Sequence, residues 1–349
     1  MRILYLGPER GTALQRIQAL RRLGHEVAVI DARQAMGQTI LPQRVVSGWA
    51  VKTGAFGVVA LITRDLAAQV KGNEFDLVFV DHGEFLGPDA LKALKTVAKT
   101  IVNYNQDNPY VARDGLKWRQ FLKALPHYDL AVTPRRSSVA PARAAGARRV
   151  LCVNFAADEA VHRPLELAAE DRARFGCKVA FVGTWMPERG PFLLRLIERG
   201  VPLRIYGERW SKAPEYEQLR GHVVLGNLEG EDYVKAIAGA SIAIGLLSKG
   251  NEDLHTTRSL EIPAIGTLLC AERTSDHSAM YKEGEEAVFF ADADECADQC
   301  LALLAQPGRI EKIAVAGLRR VRQNGDFNEV LLSKIIDAAL DRDASGVAV

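Results

Sequence analysis

The stretch RILYLGPERGTALQRIQALRRLGHEVAVID, residues 2–31, decides how the rest of the chain is interpreted. Its first apolar run, Ile3–Gly7, is followed over residues 14–23 by Leu or Ile at every third position, and Gly24 ends this helical pattern. A second apolar run, Val27–Asp31, comes next. Runs that are apolar at every position are typical of strands covered on both faces, as in a parallel sheet. The stretch therefore predicts a strand, a helix and a parallel strand.

The same alternation continues to the end of the chain. The other apolar runs of the first half are Leu77–Asp81, Thr100–Tyr104, Leu130–Pro134 and Val150–Asn154. Those of the second half are Val179–Gly183, Leu203–Gly207, His222–Leu225, Ile242–Leu247, Thr267–Cys270 and Ala287–Phe290. Helical patterns separate these runs, so we predict an α/β protein with two Rossmann-like, doubly wound parallel sheets.

The chain has 349 residues, more than the roughly 250–300 at which one hydrophobic core usually stops growing. We expect two domains, 1–165 and 166–349, with an acidic, Ala-rich connection at 156–176. The last helical pattern, 330–340, is placed where it can cross back to the first domain. Two such domains are expected to face each other across a cleft, and ligands of open α/β sheets bind beyond the carboxyl ends of the strands. We therefore look for function in the loops that follow strands.

Composition and charge exclude several classes of protein. Lys and Arg number 45 against 43 Asp and Glu, a net charge of +2, so no overall field recruits nucleic acid or an anionic membrane. The five cysteines form no Cys-x-x-Cys pair, which argues against a zinc knuckle or a disulfide framework. No apolar run approaches the ~20 residues that cross a bilayer, and no signal-peptide pattern precedes the first strand. We expect a cytoplasmic, soluble protein with no transmembrane segment and no nucleic-acid partner.

Two loops of the first half carry candidate groups. After the first strand, Gly11 and Thr12 open a helix whose free backbone N–H groups can meet a ligand oxygen, or they form a plain turn. The Gly-x-Gly-x-x-Gly fingerprint is absent there, which disfavours a nicotinamide-dependent dehydrogenase. After the third strand come His82 and Glu84, and a His in this place binds a sugar hydroxyl, moves a proton near neutral pH, or is structural.

The segment 104–110, YNQDNPY, follows the fourth strand and is dense in groups that form hydrogen bonds. Its amides and carboxylate suit a ligand with many hydroxyl groups. The Asn-Pro pair within it is also a common turn signal, so a rigid loop is the alternative. The residues that we assign to acceptor binding are Gly11, Thr12, Asn105, Asp107 and Asn108.

In the second half, the strand that ends at Gly183 leads through Thr184 to a helix expected to begin near Pro187. Arg189 then lies at a helix N-terminus, where a guanidinium can donate two hydrogen bonds to a phosphate. A pair between Arg189 and Glu188, or exposure to solvent, is the alternative.

The strongest candidate is the segment 251–266, NEDLHTTRSLEIPAIG. A short helix is expected to begin near Thr257, and its first turn collects Thr257, Arg258 and Ser259 around one anion site. Glu261 lies one turn further on the same face, where a carboxylate can accept hydrogen bonds from ribose hydroxyls. This order of residue types indicates a nucleoside diphosphate site, and a capped helix with an internal Arg258–Glu261 pair is the alternative.

At these residues the chain resembles the group 1 glycosyltransferases of the two-Rossmann GT-B fold, and within them the CgeB-like (spore maturation) family. The segment 182–190, VGTWMPERG, resembles the family's strand-end segment, in which a basic residue before Gly contacts the donor pyrophosphate; Arg189 takes that place. The segment 258–266, RSLEIPAIG, resembles the one whose Glu, here Glu261, binds the donor ribose. The segment 104–110 is also similar to this family's first-domain loop.

The resemblance implies transfer of a sugar from a nucleotide diphosphate sugar to a hydroxyl-bearing glycan, protein or small molecule. In the broader group an acidic residue near the transferred sugar precedes the ribose-binding Glu, and Asp253 has that spacing to Glu261. We assign catalysis to His82, Asp253 and Arg189. The residues assigned to donor binding are Gly183, Thr184, Arg189, Tyr206, His255, Thr257, Arg258, Ser259 and Glu261.

An Asp-x-Asp motif at 292–294 opens an acidic segment after the last strand, and we interpret it as an exposed helix start. We therefore expect Arg189, Arg258 and a helix N-terminus to neutralise the leaving diphosphate without a metal ion or a cofactor. A retaining outcome follows by analogy to the broader group. Two alternatives remain: an epimerase or hydrolase for nucleotide sugars that uses His82 and Glu84, and a nucleotide-sugar-binding protein without turnover.

Overall fold

The computed structural model describes residues 1–39 and 41–341. Its strands are β1 (Arg2–Leu6), β2 (Glu26–Ile30), β3 (Phe75–Asp81), β4 (Ala98–Tyr104), β5 (Leu130–Thr133), β6 (Val150–Cys152), β7 (Cys177–Val182), β8 (Leu203–Gly207), β9 (Val223–Leu225), β10 (Ala240–Gly245), β11 (Leu268–Glu272) and β12 (Val288–Phe290). Its α-helices are α1 (Gly11–Arg22), α2 (Gln43–Thr53), α3 (Val59–Val70), α4 (Pro88–Lys95), α5 (Arg119–Ala124), α6 (Val139–Ala144), α7 (Ala169–Phe175), α8 (Arg189–Glu198), α9 (Tyr216–Leu219), α10 (Gly230–Ala238), α11 (Arg258–Ile265), α12 (Ser275–Met280), α13 (Ala293–Leu304), α14 (Pro307–Asn324) and α15 (Asn328–Leu340).

The described strands form two six-stranded sheets that are parallel throughout. The first has the order β2-β1-β3-β4-β5-β6 and the second β12-β11-β10-β7-β8-β9. The strand order reverses between β1 and β3 in the first sheet and between β7 and β10 in the second, as in doubly wound folds. Each strand matches one predicted apolar run, so the prediction of two Rossmann-like sheets is confirmed.

Strand β7 shows why these runs are apolar at every position. Val179 and Phe181 pack into the core on one face of the second sheet, and Ala180 and Val182 pack into the core on the other face. A parallel strand with helices on both sides has no face left for polar side chains.

The chain divides into two compact units. The first contains Met1–Asn154 together with α15, which packs against α1, β4 and β5; the second is Phe155–Phe327. Phe155 belongs to the second unit because its ring lies 5.2 Å from the ring of His255, centroid to centroid, within that unit's core. The units thus divide at 154/155 and 327/328, whereas the sequence analysis placed one boundary at 165/166. Apolar periodicity does not reveal which of two cores residues 155–165 join.

The helix starts lie close to the predicted ones. Helix α8 begins at Arg189 and not at Pro187, and α11 begins directly after Thr257. Helix α13 follows Asp292, whose Oδ1 accepts from the backbone N–H of Glu295 at 2.9 Å, so the Asp-x-Asp motif is a helix cap as predicted. None of the helices in residues 1–39 and 41–341 is both long enough and apolar enough to pass through a lipid bilayer.

Candidate functional site

The loops after β7 and β8 approach each other through two glycines. The N–H of Gly183 donates to the carbonyl of Tyr206 at 2.8 Å, and the Gly183 carbonyl accepts from Nε1 of Trp210 at 2.9 Å. Gly207 has a φ of +145°, and a Cβ atom on it would lie 2.2 Å from the Gly183 oxygen. Only glycine fits there, and its small size brings these two strand ends together next to the reversal point of the sheet.

Arg189 is the first residue of α8 and is 8% exposed. Its Nη1 donates to the carbonyl of Thr184 at 2.8 Å, and its Nη2 donates to the carbonyl of Leu246 at 3.4 Å. The guanidinium carbon lies 5.5 Å from the ring centroid of Phe181. The loops that follow β7 and β10 therefore hold this guanidinium in one place.

Arg258, the first residue of α11, reaches the same strand end. Its Nε donates to the carbonyl of Val182 at 2.8 Å, and its guanidinium carbon lies 5.8 Å from the ring centroid of Tyr233. Burial and the charge of Arg258 lower the pKa of Arg189 to about 10. The two predicted phosphate-binding arginines are thus brought together, and they repel each other.

These two cations have no anionic partner at contact distance in the described part of the chain. No carboxylate oxygen of residues 1–39 and 41–341 lies within 4.0 Å of the guanidinium of Arg189 or Arg258. Neither α8 nor α11 has a side-chain hydrogen bond at its N-cap, although the N–H groups of Arg189 and Ser259 already donate to the carbonyls of Met186 and Thr256 at 3.0 Å. Buried positive charge without a counter-ion is costly. The arrangement favours a bound anion that carries more than one charge.

Glu261 lies one turn into α11, is buried, and does not pair with Arg258. Its Oε2 accepts a short hydrogen bond from the hydroxyl of Tyr233, and its Oε1 lies 3.7 Å from Nε2 of His162. Nδ1 of His162 accepts from the backbone N–H of Asp158 at 2.8 Å, so Nε2 carries the proton of a neutral ring. This Nε2 is buried and has no hydrogen-bond partner among the described residues. A hydroxyl group beside both residues can donate to Glu261 and accept from His162.

The structure does not support a donor contact for the side chains of Tyr206 and His255. The ring of Tyr206 packs into the core on one face of the sheet. Its hydroxyl donates at 3.3 Å to the carbonyl of Phe175, which precedes β7. The ring of His255 is occupied on both sides: Nε2 accepts from the N–H of Phe155 at 3.2 Å and Nδ1 lies 2.8 Å from Oδ2 of Asp276. Both side chains hold the fold of the second unit.

Ser259 is likewise occupied. Its Oγ accepts from the N–H of Thr256 at 3.0 Å and lies 2.7 Å from Nε2 of His277, whose Nδ1 lies 2.6 Å from the carbonyl of Glu272. Since a carbonyl only accepts, Nδ1 of His277 carries its proton and the Ser259 hydroxyl donates to Nε2. This serine fixes the start of α11, and its hydroxyl is not available to a phosphate.

Thr257 and Asp253 flank this helix start. The Thr257 carbonyl accepts from the N–H of Glu261 at 2.8 Å, which closes the first turn of α11. Asp253 is buried, and its charge acts on Arg189, where it partly offsets the lowering of the arginine's pKa. Asp253 therefore lies in the electrostatic neighbourhood of Arg189, although the two residues make no ion pair.

In the first unit, His82 follows β3 at the reversal point of the sheet. Its backbone has a φ of +62°, a left-handed conformation that is costly for a residue other than glycine. The His82 N–H donates to the carbonyl of Tyr104 at 3.0 Å, and the His82 carbonyl accepts from Nδ2 of Asn103 at 3.0 Å. Two hydrogen bonds to β4 thus hold the strained residue in place.

A buried network fixes the imidazole of His82. Its Nδ1 lies 3.2 Å from Oδ1 of Asp81, whose Oδ2 accepts from Arg16 at 2.7 Å and from the Tyr5 hydroxyl at 2.9 Å. Burial opposes the charge of Asp81, but Arg16 and then His82 hold its pKa well below the usual range. Burial also opposes a charge on His82, but Asp81 raises its pKa above the ordinary value. The imidazole, 27% exposed, is oriented through Nδ1.

The predicted acceptor residues on the loop after β4 lie close to His82. The charge of Asp107 acts on His82, and Nζ of Lys117 lies 3.2 Å from Oδ2 of Asp107. Oδ1 of Asn105 accepts from the N–H of Asp107 at 3.0 Å, while its Nδ2 is buried without a partner in residues 1–39 and 41–341. Oδ1 of Asn108 accepts from the N–H of Tyr110 at 3.2 Å, so this amide also stabilises the turn that the alternative interpretation describes.

Gly11 and Thr12 begin α1, as predicted. Gly11 is exposed with a φ of +53°, and a Cβ atom on it would meet nothing within 4 Å among the described residues. Thr12 is half-buried. Their positions leave the start of α1 open, and the acceptor contact stays a prediction.

The sequence analysis missed His162 and Tyr233, the two partners of Glu261. His162 stands alone in a segment that was interpreted as a connection between domains, and Tyr233 lies in the helical pattern of α10. Neither belongs to a motif, and only the folded chain brings them to α11.

Comparisons with known proteins agree with the fold. Residues 189–331 match the family described as "Glycosyl transferase-like", which is less than half of the chain and includes both arginines and Glu261. No curated protein sequence gives a match.

Solved structures match almost the whole chain at low sequence identity. The sucrose-phosphate synthase of Thermosynechococcus elongatus has a TM-score of 0.69 at 12% identity, over 97% of this chain and 98% of that one. HepE of Anabaena in complex with UDP-glucose has a TM-score of 0.66 at 12% identity, over 97% and 99%. A glycosyltransferase of Rickettsia africae has a TM-score of 0.62 at 11% identity, over 99% of each chain. The fold is GT-B: two Rossmann-like units of the kind found in these glycosyltransferases.

Proposed function

We propose that this protein is a glycosyltransferase that moves a sugar from a nucleoside diphosphate sugar to a hydroxyl-bearing acceptor. One observation carries the proposal: the guanidiniums of buried Arg189 and half-buried Arg258 share the end of β7, with no carboxylate within 4.0 Å in the described chain. The family match over residues 189–331 supports it. The narrower CgeB-like assignment rests on the segments around Arg189 and Arg258.

The proposed donor site takes the diphosphate between the two arginines and the starts of α8 and α11. Guanidinium groups at these places donate charge-assisted hydrogen bonds, and the helix N-termini add partial positive charge. We place a ribose hydroxyl beside Glu261 Oε1 and His162 Nε2, which offer an acceptor and a donor 3.7 Å apart. HepE was solved with UDP-glucose, so uridine is the first base to test.

In the proposed reaction the sugar leaves a nucleoside diphosphate, and negative charge develops on the diphosphate oxygen. Arg189 and Arg258 are fixed by backbone carbonyls before the ligand arrives, so they stabilise this charge with little reorganisation. Asp253 supports Arg189 electrostatically and lies near the transferred sugar in this proposal. We propose that the step needs no metal ion and retains the anomeric configuration.

The proposed role of His82, in the first unit, is to bind the acceptor hydroxyl and accept its proton. Asp81 fixes the ring through Nδ1, which leaves Nε2 as the reacting nitrogen. The strained backbone of His82 is consistent with a functional residue, since such strain persists where the surroundings enforce it.

The first experiment compares UDP, GDP, TDP and CDP for their ability to raise the melting temperature. A ligand that binds only the folded chain at 100 times its Kd stabilises it by about 2.7 kcal/mol. Arg258→Met should abolish this gain, and Arg195→Met is the matched control because Arg195 lies on the exposed side of α8 and pairs with Asp294. No gain with any nucleotide, or the same gain in Arg258→Met, would refute the donor site.

Turnover is tested with the sugar nucleotide whose diphosphate binds, in the presence of EDTA and a panel of hydroxyl acceptors. Glycosylated product whose anomeric linkage matches the donor supports metal-independent, retaining transfer. Free sugar or an epimer without any acceptor product would instead identify a hydrolase or an epimerase.

A further inference from the structure

Three of the five cysteines, far apart in the sequence, meet in the core of the second unit. Cys270 lies on β11, and Cys296 and Cys300 lie one turn apart on α13. All three are fully buried, with Sγ atoms within 4.8 Å of one another and 4.0 Å between Cys270 and Cys296. The cysteine spacing gave no sign of such a cluster, because its members come from two different elements.

The sulfur triangle has the dimensions of a three-coordinate site. Thiolate bonds of about 2.3 Å to one central atom place three sulfurs at most about 4.0 Å apart. The present edges, all within 4.8 Å and one of them 4.0 Å long, therefore need to shorten by less than about 1 Å to reach this limit. Three thiols at these distances can bind one central atom with modest movement of the side chains.

The surroundings decide which central atom suits this triangle. The core cluster that contains all three cysteines is apolar, and Val288, Phe290 and Leu303 are among its members. Among the described residues, the largest electrostatic influences on the three thiols come from the thiols themselves, with a smaller one from Glu295. Three thiolates around a monovalent or divalent cation leave net negative charge, which is costly in an apolar core. A trivalent centre leaves none.

We propose that Cys270, Cys296 and Cys300 form a binding site for trivalent arsenic, taken up as arsenous acid. Three S–H bonds and three As–O bonds break, three As–S bonds form, and the three protons leave with the three hydroxyl groups as water. Arsenic stays trivalent and no sulfur is oxidised, so the reaction needs no oxidant or reductant. Neutral reactants give a neutral product, which suits the apolar surroundings.

Because the three sulfurs are buried, binding requires a local opening between β11 and α13. Arsenic uptake is therefore slower than diffusion-limited binding. It accelerates in mild denaturant, as long as the protein stays folded.

The test exposes the folded, reduced protein to sodium arsenite and removes the excess. Arsenic X-ray absorption should show three sulfur neighbours in a complex of one arsenic per chain. Thiols titrated after denaturation should fall from five to two, and the melting temperature should rise. No arsenic uptake, two sulfur neighbours, or uptake of cadmium in place of arsenic would overturn the proposal.

Variants separate this site from the other cysteines. Cys296→Ala should lose three-sulfur coordination, whereas the double variant Cys152→Ala/Cys177→Ala removes the two cysteines outside the cluster and should keep it. Retention by Cys296→Ala or loss in the double variant would contradict the assignment. If Cys296→Ala does not fold, the double variant decides alone, because all its remaining thiols should disappear on arsenite treatment.

Discussion

Each unit holds a buried arginine near the reversal point of its sheet, and the two arginines have opposite environments. Arg16 of the first unit donates to Asp81 at 2.7 Å, so its charge is compensated within the protein. Among the described residues, Arg189 of the second unit donates only to carbonyl oxygens, and burial together with the neighbouring charge of Arg258 lowers its pKa to about 10. A buried arginine that is paired with a carboxylate, as Arg16 is, stabilises the fold. A buried arginine without a described carboxylate in contact, as Arg189 is, can bind an anion.

The largest effect is expected when the compensated pair is broken. Arg16→Met leaves Asp81 buried without its cation, and the loss should be about 3–5 kcal/mol of unfolding free energy. Urea denaturation followed by far-ultraviolet circular dichroism measures it. A loss below about 1 kcal/mol would mean that the pair is not a stabilising element.

Arg189→Met should instead leave the unfolding free energy within about 1 kcal/mol of wild type, because lost hydrogen bonds are offset by removal of a repelled, buried charge. Nucleoside diphosphate binding should weaken by about 1.5–3 kcal/mol, the range for hydrogen bonds to charged groups. Calorimetric titration measures the second quantity, with Arg195→Met as the control that should change neither. A variant as unstable as Arg16→Met would erase the contrast between the two sites.

The stability of the first unit is expected to depend on pH through Asp81 and His82. Asp81 raises the pKa of His82 in the folded protein, so the stabilisation from this pair is complete below the unfolded pKa of about 6.5 and is lost as pH rises through the folded pKa. His82→Asn, which tolerates the positive φ, should therefore be less stable than wild type by about 1 kcal/mol at low pH and should approach it at high pH.

Proton NMR titration of the imidazoles checks the direction of this shift. His82 should titrate above 6.5 and His25 below it, since burial and the N-terminal amine lower the pKa of His25. The reverse order would show that Asp81 does not control His82.

The smallest effect concerns the two tyrosines of the second unit. Tyr206→Phe loses one hydrogen bond to a carbonyl, so unfolding should become easier by about 0.5–1.5 kcal/mol with nucleotide affinity unchanged. Tyr233→Phe removes the donor to Glu261 and should weaken nucleotide binding. If nucleotide affinity fell equally in both variants, Tyr206 would have to be assigned to the donor site.

Much of the candidate site could be predicted because it lies at strand ends and helix starts, which local sequence patterns mark well. Arg189 and Arg258 each begin a helix that follows a strand, and Gly183 marks the turn between β7 and α8. The roles of His255 and Ser259 could not be predicted, because their polar atoms are occupied by Asp276 and His277 on another helix. A motif shows that polar groups are close to a turn, but not which of them are already used.

The local sequence specifies the alternation of strands and helices, since the apolar runs and the three-residue helical spacing act over one element at a time. It also determined where the loops with functional groups begin. The tertiary structure determines which charges are compensated: Arg16 meets Asp81 across 65 positions of the chain, whereas Arg189 meets no carboxylate within 4.0 Å among the described residues. The same holds for the joining of Glu261 with His162 and for the cluster of three cysteines. Such contacts depend on how whole elements pack, and no local pattern records them.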